Sequence, residues 1–98
     1  MFGKKETANQ LGLPPIASAN SSAKEVLRVW AAPGSSQQVT LRTTWQDPGA
    51  WGLLLVDIAN HAANAYQSEG KDRKVVLARI RELFDAEWNH PTDTAKEI

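Results

Sequence analysis

One segment, residues 47–70, constrains the fold of this chain more than any other. It reads DPGAWGLLLVDIANHAANAYQSEG and is the longest stretch with a helical apolar repeat. Asp47 is placed to cap the first turn, Pro48 suits the first helical position, and Gly70 can adopt the left-handed conformation that ends many helices. The pattern predicts one amphipathic helix of about six turns. Its apolar stripe comprises Trp51, Leu54, Leu55, Ile58, Ala62, Ala65 and Tyr66.

The first half of this helix is apolar beyond that stripe. Leu53 and Val56 lie outside it, so more than half of the circumference is apolar there. A helix that packs against the rest of the protein on one side needs apolar side chains on that side alone. We therefore expect either a second helix or another chain to cover the extra side. Gly49 and Gly52 each cost roughly 1 kcal/mol of helix propensity, which indicates either close approach of another backbone or fraying.

The residues before this helix predict an antiparallel β-hairpin. Residues 24–32 and 38–45 alternate with period two and are rich in β-branched side chains, and Pro33-Gly34 between them is typical of a turn. We expect the helices to cover the more apolar face of this hairpin. That face carries Leu27, Val29, Val39, Leu41 and Thr43, and the opposite face carries Arg28, Trp30, Thr40, Arg42 and Thr44.

A second amphipathic helix is predicted over residues 72–88. Asp72 is a suitable N-cap, and the helix should stop at Asn89-His90-Pro91 because the residue before proline avoids the helical region. The predicted fold class is α+β, in the order β-β-α-α, within a single domain over residues 23–91. Residues 1–22 are expected to form a disordered leader and residues 92–98 a frayed tail. Alternatively, the proline-stiffened leader docks in a groove through Leu11, Leu13 and Ile16.

Such a hairpin leaves surface that invites a partner. Two strands are marginal alone, two helices can cover only one face, and the open edges favour pairing with another chain. We predict a homodimer that joins two hairpins edge to edge into a four-stranded sheet. An unknown protein partner is the other expectation. The predicted interaction surface comprises Arg28, Trp30, Arg42, Leu53 and Val56.

Composition argues against several classes of protein. Eleven basic and eleven acidic side chains balance, so no net field favours nucleic acid or anionic lipid. The chain has no cysteine for a disulfide, a thiolate metal site or a nucleophile. Residues 1–10 lack the apolar core of a signal peptide, and the longest apolar run is too short to span a membrane. We expect a cytoplasmic protein without a cofactor.

Three segments resemble a known family. These are VLRVWAAPG, WQDPGAWGLLLVDIANHAANAY and RIRELFDAEWNHPTD, of which the helix start DPGAWGLLLVDI is the most specific. Together they are similar to a family of small alphaproteobacterial proteins known only as a domain of unknown function. The resemblance covers roughly residues 25–93 and implies a bacterial, cytoplasmic protein. It brings no activity and no site residues.

Few side chains suggest chemistry. Asp57 and His61 are four residues apart and can meet on one helical face, as in half of a catalytic triad. The chain has no cysteine, and no serine lies in a G-x-S-x-G setting, so the third member of the triad is missing. Two histidines in the whole chain make a poor metal-ligand supply. We therefore predict no catalytic and no metal site. A polar strip of Asp57, Asn60, His61 and Asn64 suits either oriented hydrogen bonds to a ligand or simple solvation.

A basic cluster, Lys71, Arg73 and Lys74, lies at the predicted start of the second helix. Cations beside free helix amides suit an anion such as phosphate, although a solvated cluster without a role is the alternative. Residues 71–81 carry five basic and one acidic side chain, whereas residues 82–98 carry five acidic and one basic. This asymmetry suits antiparallel association as well as ligand capture.

These features together favour a non-enzymatic protein-interaction or accessory module. The alternative is a small-molecule or anion binder that uses the basic cluster. Trp30 between Arg28 and Arg42 also resembles a base-stacking surface, but one tryptophan on a neutral chain gives nucleic-acid binding little support.

Overall fold

The structure, a computed structural model, describes residues 8–91. Its elements are α1 (Ile16–Ala19), β1 (Leu27–Trp30), β2 (Gln38–Leu41), α2 (Gly49–Ser68) and α3 (Arg73–Asn89). The predicted α+β class and the order β-β-α-α are confirmed, with α1 as an addition. The chain forms two compact units, the first ending at Thr44 and the second beginning at Trp45. The expected packing of the helices on the hairpin stays a prediction.

The first unit contains the antiparallel hairpin. Leu27 pairs with Leu41 and Val29 with Val39, whereas Arg28 pairs with Thr40 on the opposite face. Paired residues share a face of the sheet, so the predicted division into an apolar and a more polar face is confirmed. In the connection the amide of Ser35 donates to the Ala32 carbonyl at 3.1 Å. Gly34 has φ 77°, as the third residue of a type II turn requires.

Both strands are shorter than predicted. The amide of Arg42 still donates to the Val26 carbonyl at 3.0 Å, which extends the ladder by one bond. Thr44 then adopts φ 63°, a left-handed conformation that is uncommon for a β-branched residue, and its hydroxyl donates to the Arg42 carbonyl at 3.0 Å. The extended conformation therefore ends before Trp45, where the alternating pattern would have continued it.

The leader contains a helical turn that the sequence did not predict. Ala17, the second residue of α1, donates its amide to the Pro14 carbonyl at 3.0 Å. Pro15 has φ −54°, and a proline at the start of a helix favours it because its φ is already helical. The side chain of Asn20 then accepts from the Ser22 amide at 2.9 Å. Predictions for residues 1–7 and 92–98 lie outside the described residues.

The boundaries of the two long helices follow local rules. The Asp47 carboxylate accepts from the Gly49 amide at 2.8 Å, and Asp72 accepts from the amides of Lys74 at 2.8 Å and Val75 at 3.2 Å. Gly70 has φ 97°, so the predicted left-handed end of the first helix is confirmed. Within residues 8–91, no helix combines the length and hydropathy that crossing a lipid bilayer requires.

The most buried residue of α2 lies outside the predicted stripe. Ala63 has no exposed surface and is the one buried hydrophobic residue among the described positions. It lies about 100° round the helix from Ala62, a member of the stripe. On α3, Val76, Leu77 and Ile80 are half-buried. The second helix therefore packs beside the stripe rather than along it.

The close backbone approach considered for the glycines of α2 is not observed. A Cβ added at Gly52 would have no neighbour within 4 Å, and one at Gly49 would meet only the side chain of Asp47, at 3.1 Å. The space over Gly52 is open.

Replacement of Gly70 should destabilise the protein. Gly70→Ala places a side chain at φ 97°, which should lower the free energy of unfolding by about 1 kcal/mol or more. Urea unfolding at fixed protein concentration measures this change. Gly12→Ala is the matched control, because its φ is not left-handed and its Cβ would meet nothing within 4 Å. Equal effects of the two changes would contradict the role of Gly70.

Candidate functional site

The predicted polar strip and the predicted basic cluster meet each other. Arg73, the first residue of α3, donates from Nε to Asn64 Oδ1 at 2.8 Å and from Nη2 to Asn60 Oδ1 at 2.7 Å. Both asparagines lie on α2, one turn apart, so they face the same way. We call this arrangement the Arg73 clamp. Residues that the sequence suggested for two separate ligand sites thus join two helices of one chain.

A further hydrogen bond orients the Asn60 side chain of the clamp. Asn60 Nδ2 donates to the Val56 carbonyl at 3.0 Å, which leaves Oδ1 facing the guanidinium. Asn60 and Arg73 are half-buried. Hydrogen bonds from a charged donor are stronger than neutral ones, at about 1.5–3 kcal/mol each. The clamp therefore fixes the two helices near their connection.

The other two members of the polar strip have no such role. Asp57 and His61 are exposed, and neither side chain forms a hydrogen bond within residues 8–91. The interpretation as a carboxylate that orients an imidazole therefore has no contact to support it. Among the residues that the structure describes, no group of three or more acidic or histidine side chains is placed to hold a metal ion.

The helix start that was predicted to bind an anion is occupied by the chain itself. Asp72 accepts from the Lys74 and Val75 amides, and Arg73 is held in the clamp. The Lys71 ammonium lies 5.4 Å from the centre of the Tyr66 ring, in a cation–π contact. An incoming anion would have to compete with the Asp72 carboxylate. Anion binding by Lys71, Arg73 and Lys74 stays a prediction.

The predicted interaction surface on the hairpin is organised by Glu25. Arg28 Nη2 lies 2.6 Å from Glu25 Oε1, and Arg42 Nε donates to the Glu25 carbonyl at 2.7 Å. Both arginines are thus held close to β1, and Trp30 on the same face remains 39% exposed. The exposed ion pair contributes little stability, about 0–1 kcal/mol.

The helical part of the predicted interaction surface is the most exposed part. Leu53 is 73% and Val56 60% exposed, so α3 does not cover them. Two apolar side chains of α3 are exposed as well, Trp88 by 71% and Leu83 by 53%. Phe84 stacks on Trp88, with ring centroids 5.5 Å apart. The sequence feature that could have indicated this exposure is the pair Gly52 and Gly49, because a glycine has no side chain that could cover the end of α3.

Loss of the clamp should destabilise the helix pair. Asn60→Ala removes one acceptor from the half-buried Arg73, and we expect the free energy of unfolding to fall by about 1–3 kcal/mol. Asp57→Ala, on the same helix and without a side-chain partner, is the control and should change it by less than about 0.5 kcal/mol. Urea unfolding at one protein concentration compares them. A control variant as unstable as Asn60→Ala would show that the clamp has no special role.

Phosphate should leave the start of α3 unchanged. Because Asp72 already accepts from the Lys74 and Val75 amides, we expect no saturable shift of these two amide signals in an NMR titration with phosphate. Asp72→Ala frees both amides and should make a shift measurable. Saturable shifts in the unmodified protein would instead support the anion-binding alternative.

The comparisons with known proteins bear on family rather than on activity. The chain is similar to a solved structure from the photosynthetic bacterium Rhodopseudomonas palustrus CGA009 that is described as a candidate pyruvate dehydrogenase. The identity is 40%, the TM-score is 0.75, and the match covers 100% of this chain and 97% of the other. No curated protein matches. A family model matches residues 10–92, so the chain belongs to the family described as "Domain of unknown function (DUF5076)".

Proposed function

We propose that the protein is a non-enzymatic protein-interaction or accessory module that works as a homodimer. The observation that carries this proposal is the amount of apolar surface left uncovered. Within residues 8–91, Ala63 is the one buried hydrophobic residue, while sixteen large hydrophobic side chains are exposed. Single exposed hydrophobic residues are normal, but contiguous large patches mark interaction sites.

The energies involved are large for a chain of this size. Burial of a leucine or valine side chain is worth about 1.5–3 kcal/mol, and a folded domain has a net stability of only about 5–15 kcal/mol. Covering half a dozen of these side chains would therefore contribute a free energy comparable to the net stability of a whole folded domain. A partner polypeptide could bury these side chains, and a second copy of the same chain is always present.

Two surfaces support association. On the hairpin, neither β1 nor β2 pairs with a third strand within residues 8–91, so edge-to-edge pairing would complete a four-stranded sheet. On the helices, Leu53 and Val56 form the exposed apolar surface that the sequence predicted. Both surfaces belong to regular elements, which present a fixed shape to a partner.

The polar side chains support an interaction role more than a reaction. Arg73, Asn60 and Asn64 are engaged with one another, and Arg28 and Arg42 are engaged with Glu25. A bacterial source agrees with the bacterial origin of the similar solved structure, and the proposal places the protein in the cytoplasm.

The oligomeric state tests this proposal. Light scattering of the full chain at high micromolar concentration should give twice the 10.8 kDa mass of one chain. Affinity capture from the native bacterium should then identify any further protein partner. A monomer at every concentration, together with no specific captured protein, would overturn the proposed function.

A further inference from the structure

The exposed apolar residues of the helices concentrate at one end of the pair. Residues 69–72 connect α2 to α3, and Arg73 contacts the second half of α2, so the helices run antiparallel. The first turns of α2 therefore lie level with the last turns of α3. At a rise of about 1.5 Å per residue, this end lies roughly 25–30 Å from the connection. We call it the open end.

Burial falls along the pair from the connection to the open end. Ala63 is fully buried, whereas Val56, seven residues earlier and on nearly the same face of α2, is 60% exposed. On α3, Val76, Leu77 and Ile80 are half-buried, but Trp88, eleven residues after Leu77 and on nearly the same face, is 71% exposed. On these faces the apolar contact between the helices is thus closer near the Arg73 clamp than at the open end, although Val75 beside the clamp is itself 66% exposed.

The open end contains both an uncovered glycine and a protruding side chain. A Cβ at Gly52 would meet nothing within 4 Å, and Gly52 lies one turn before Val56 on the same face. Trp88, stacked on Phe84, protrudes at about the same level. A surface that presents both features is self-complementary, as the interface of a two-fold dimer must be.

We propose that a second copy of this chain covers the open end with its own α3. The two helix pairs form an alternating four-helix bundle whose two-fold axis runs parallel to the helices. Each α2 then lies between its own α3 and that of the partner, and Trp88 of each copy packs over Gly52 of the other. The inference rests on the proposed homodimer and assigns its principal contact to the helices rather than to the sheet edge.

Charge favours this direction of packing. The start of α3 is basic, with Arg73 and Lys74, and its last turns carry Glu82, Asp85 and Glu87, of which the first two pair with Arg79 and Arg81. The positive pole of the α2 macrodipole lies at Gly49 and the negative pole near Ser68. In the alternating bundle the acidic end of the partner's α3 meets the positive pole of α2, and the basic start meets the negative pole. Reversal of the partner would bring like charges together.

The apolar area at the open end suits a stable dimer. A tryptophan side chain presents about 200 Å², so Trp88 alone leaves roughly 140 Å² uncovered. Leu53, Val56, Leu83 and Phe84 are exposed by 43–73% and raise the total to a few hundred Å². A standard interface takes about 800 Å² from each partner. By comparison, the hairpin strands are four residues long and offer only a few hydrogen bonds along one edge.

Matched substitutions test which surface joins the copies. Trp88→Ala should weaken dimerisation at least tenfold in sedimentation velocity, and Leu53→Asp with Val56→Asp should give a monomer. Trp30→Ala, which removes an exposed tryptophan from the hairpin, should leave the dimer constant within about twofold. The reverse pattern would overturn the inference and leave the proposed homodimer standing. A monomeric unmodified protein would overturn both.

Cross-linking tests the geometry even if those variants fold poorly. The chain has no cysteine, so Leu53→Cys and Asn89→Cys each provide one unique thiol. After the two variants are mixed and allowed to exchange, a short bismaleimide should link Leu53→Cys of one chain to Asn89→Cys of another. Leu53→Cys alone should give little cross-linked product. Efficient self-linking of Leu53→Cys, or no mixed product from a sample that is dimeric by light scattering, would overturn the alternating bundle.

Discussion

The Arg73 clamp is the contact on which the helical unit depends. It joins the first residue of α3 to two asparagines of α2, and it does so beside the one buried hydrophobic residue of the described chain. A guanidinium with two amide acceptors is directional, so it sets the position of α3 along and around α2. Apolar contacts alone would fix the position of α3 less well, because the small side chain of Ala63 does little to prevent α3 from shifting along α2.

The clamp also explains why the apolar side chains of the two helices are more buried near the connection than at the other end. It holds them together near the connection, where Val76 and Leu77 are half-buried. At the other end Gly52 offers no side chain for α3 to contact. The polar interaction therefore stabilises one end, and the apolar side chains remain available at the other. This division separates the residues that shape the chain from those that are free to meet a partner.

Local chemistry made much of the fold predictable from sequence. Asp47, Asp72, Gly34 and Gly70 act within one or two residues of where they stand, so the sequence alone indicates the turn and the helix ends. The faces of the hairpin follow from strict alternation. The clamp was not predictable in this way, because Arg73 and Asn60 are thirteen residues apart and each also has an ordinary role on a solvated surface. The exposure of Trp88 likewise depends on where α3 lies, which no periodicity reveals.

Full burial of a single apolar side chain among the described residues, that of Ala63, affects how the protein responds to heat and dilution. Apolar burial is the main source of the positive heat capacity of unfolding, so a single chain that buries so little should have a shallow dependence of stability on temperature. In the proposed homodimer, assembly would contribute a large part of the heat capacity of unfolding. Dilution would then favour unfolding, and the melting temperature would rise with the protein concentration.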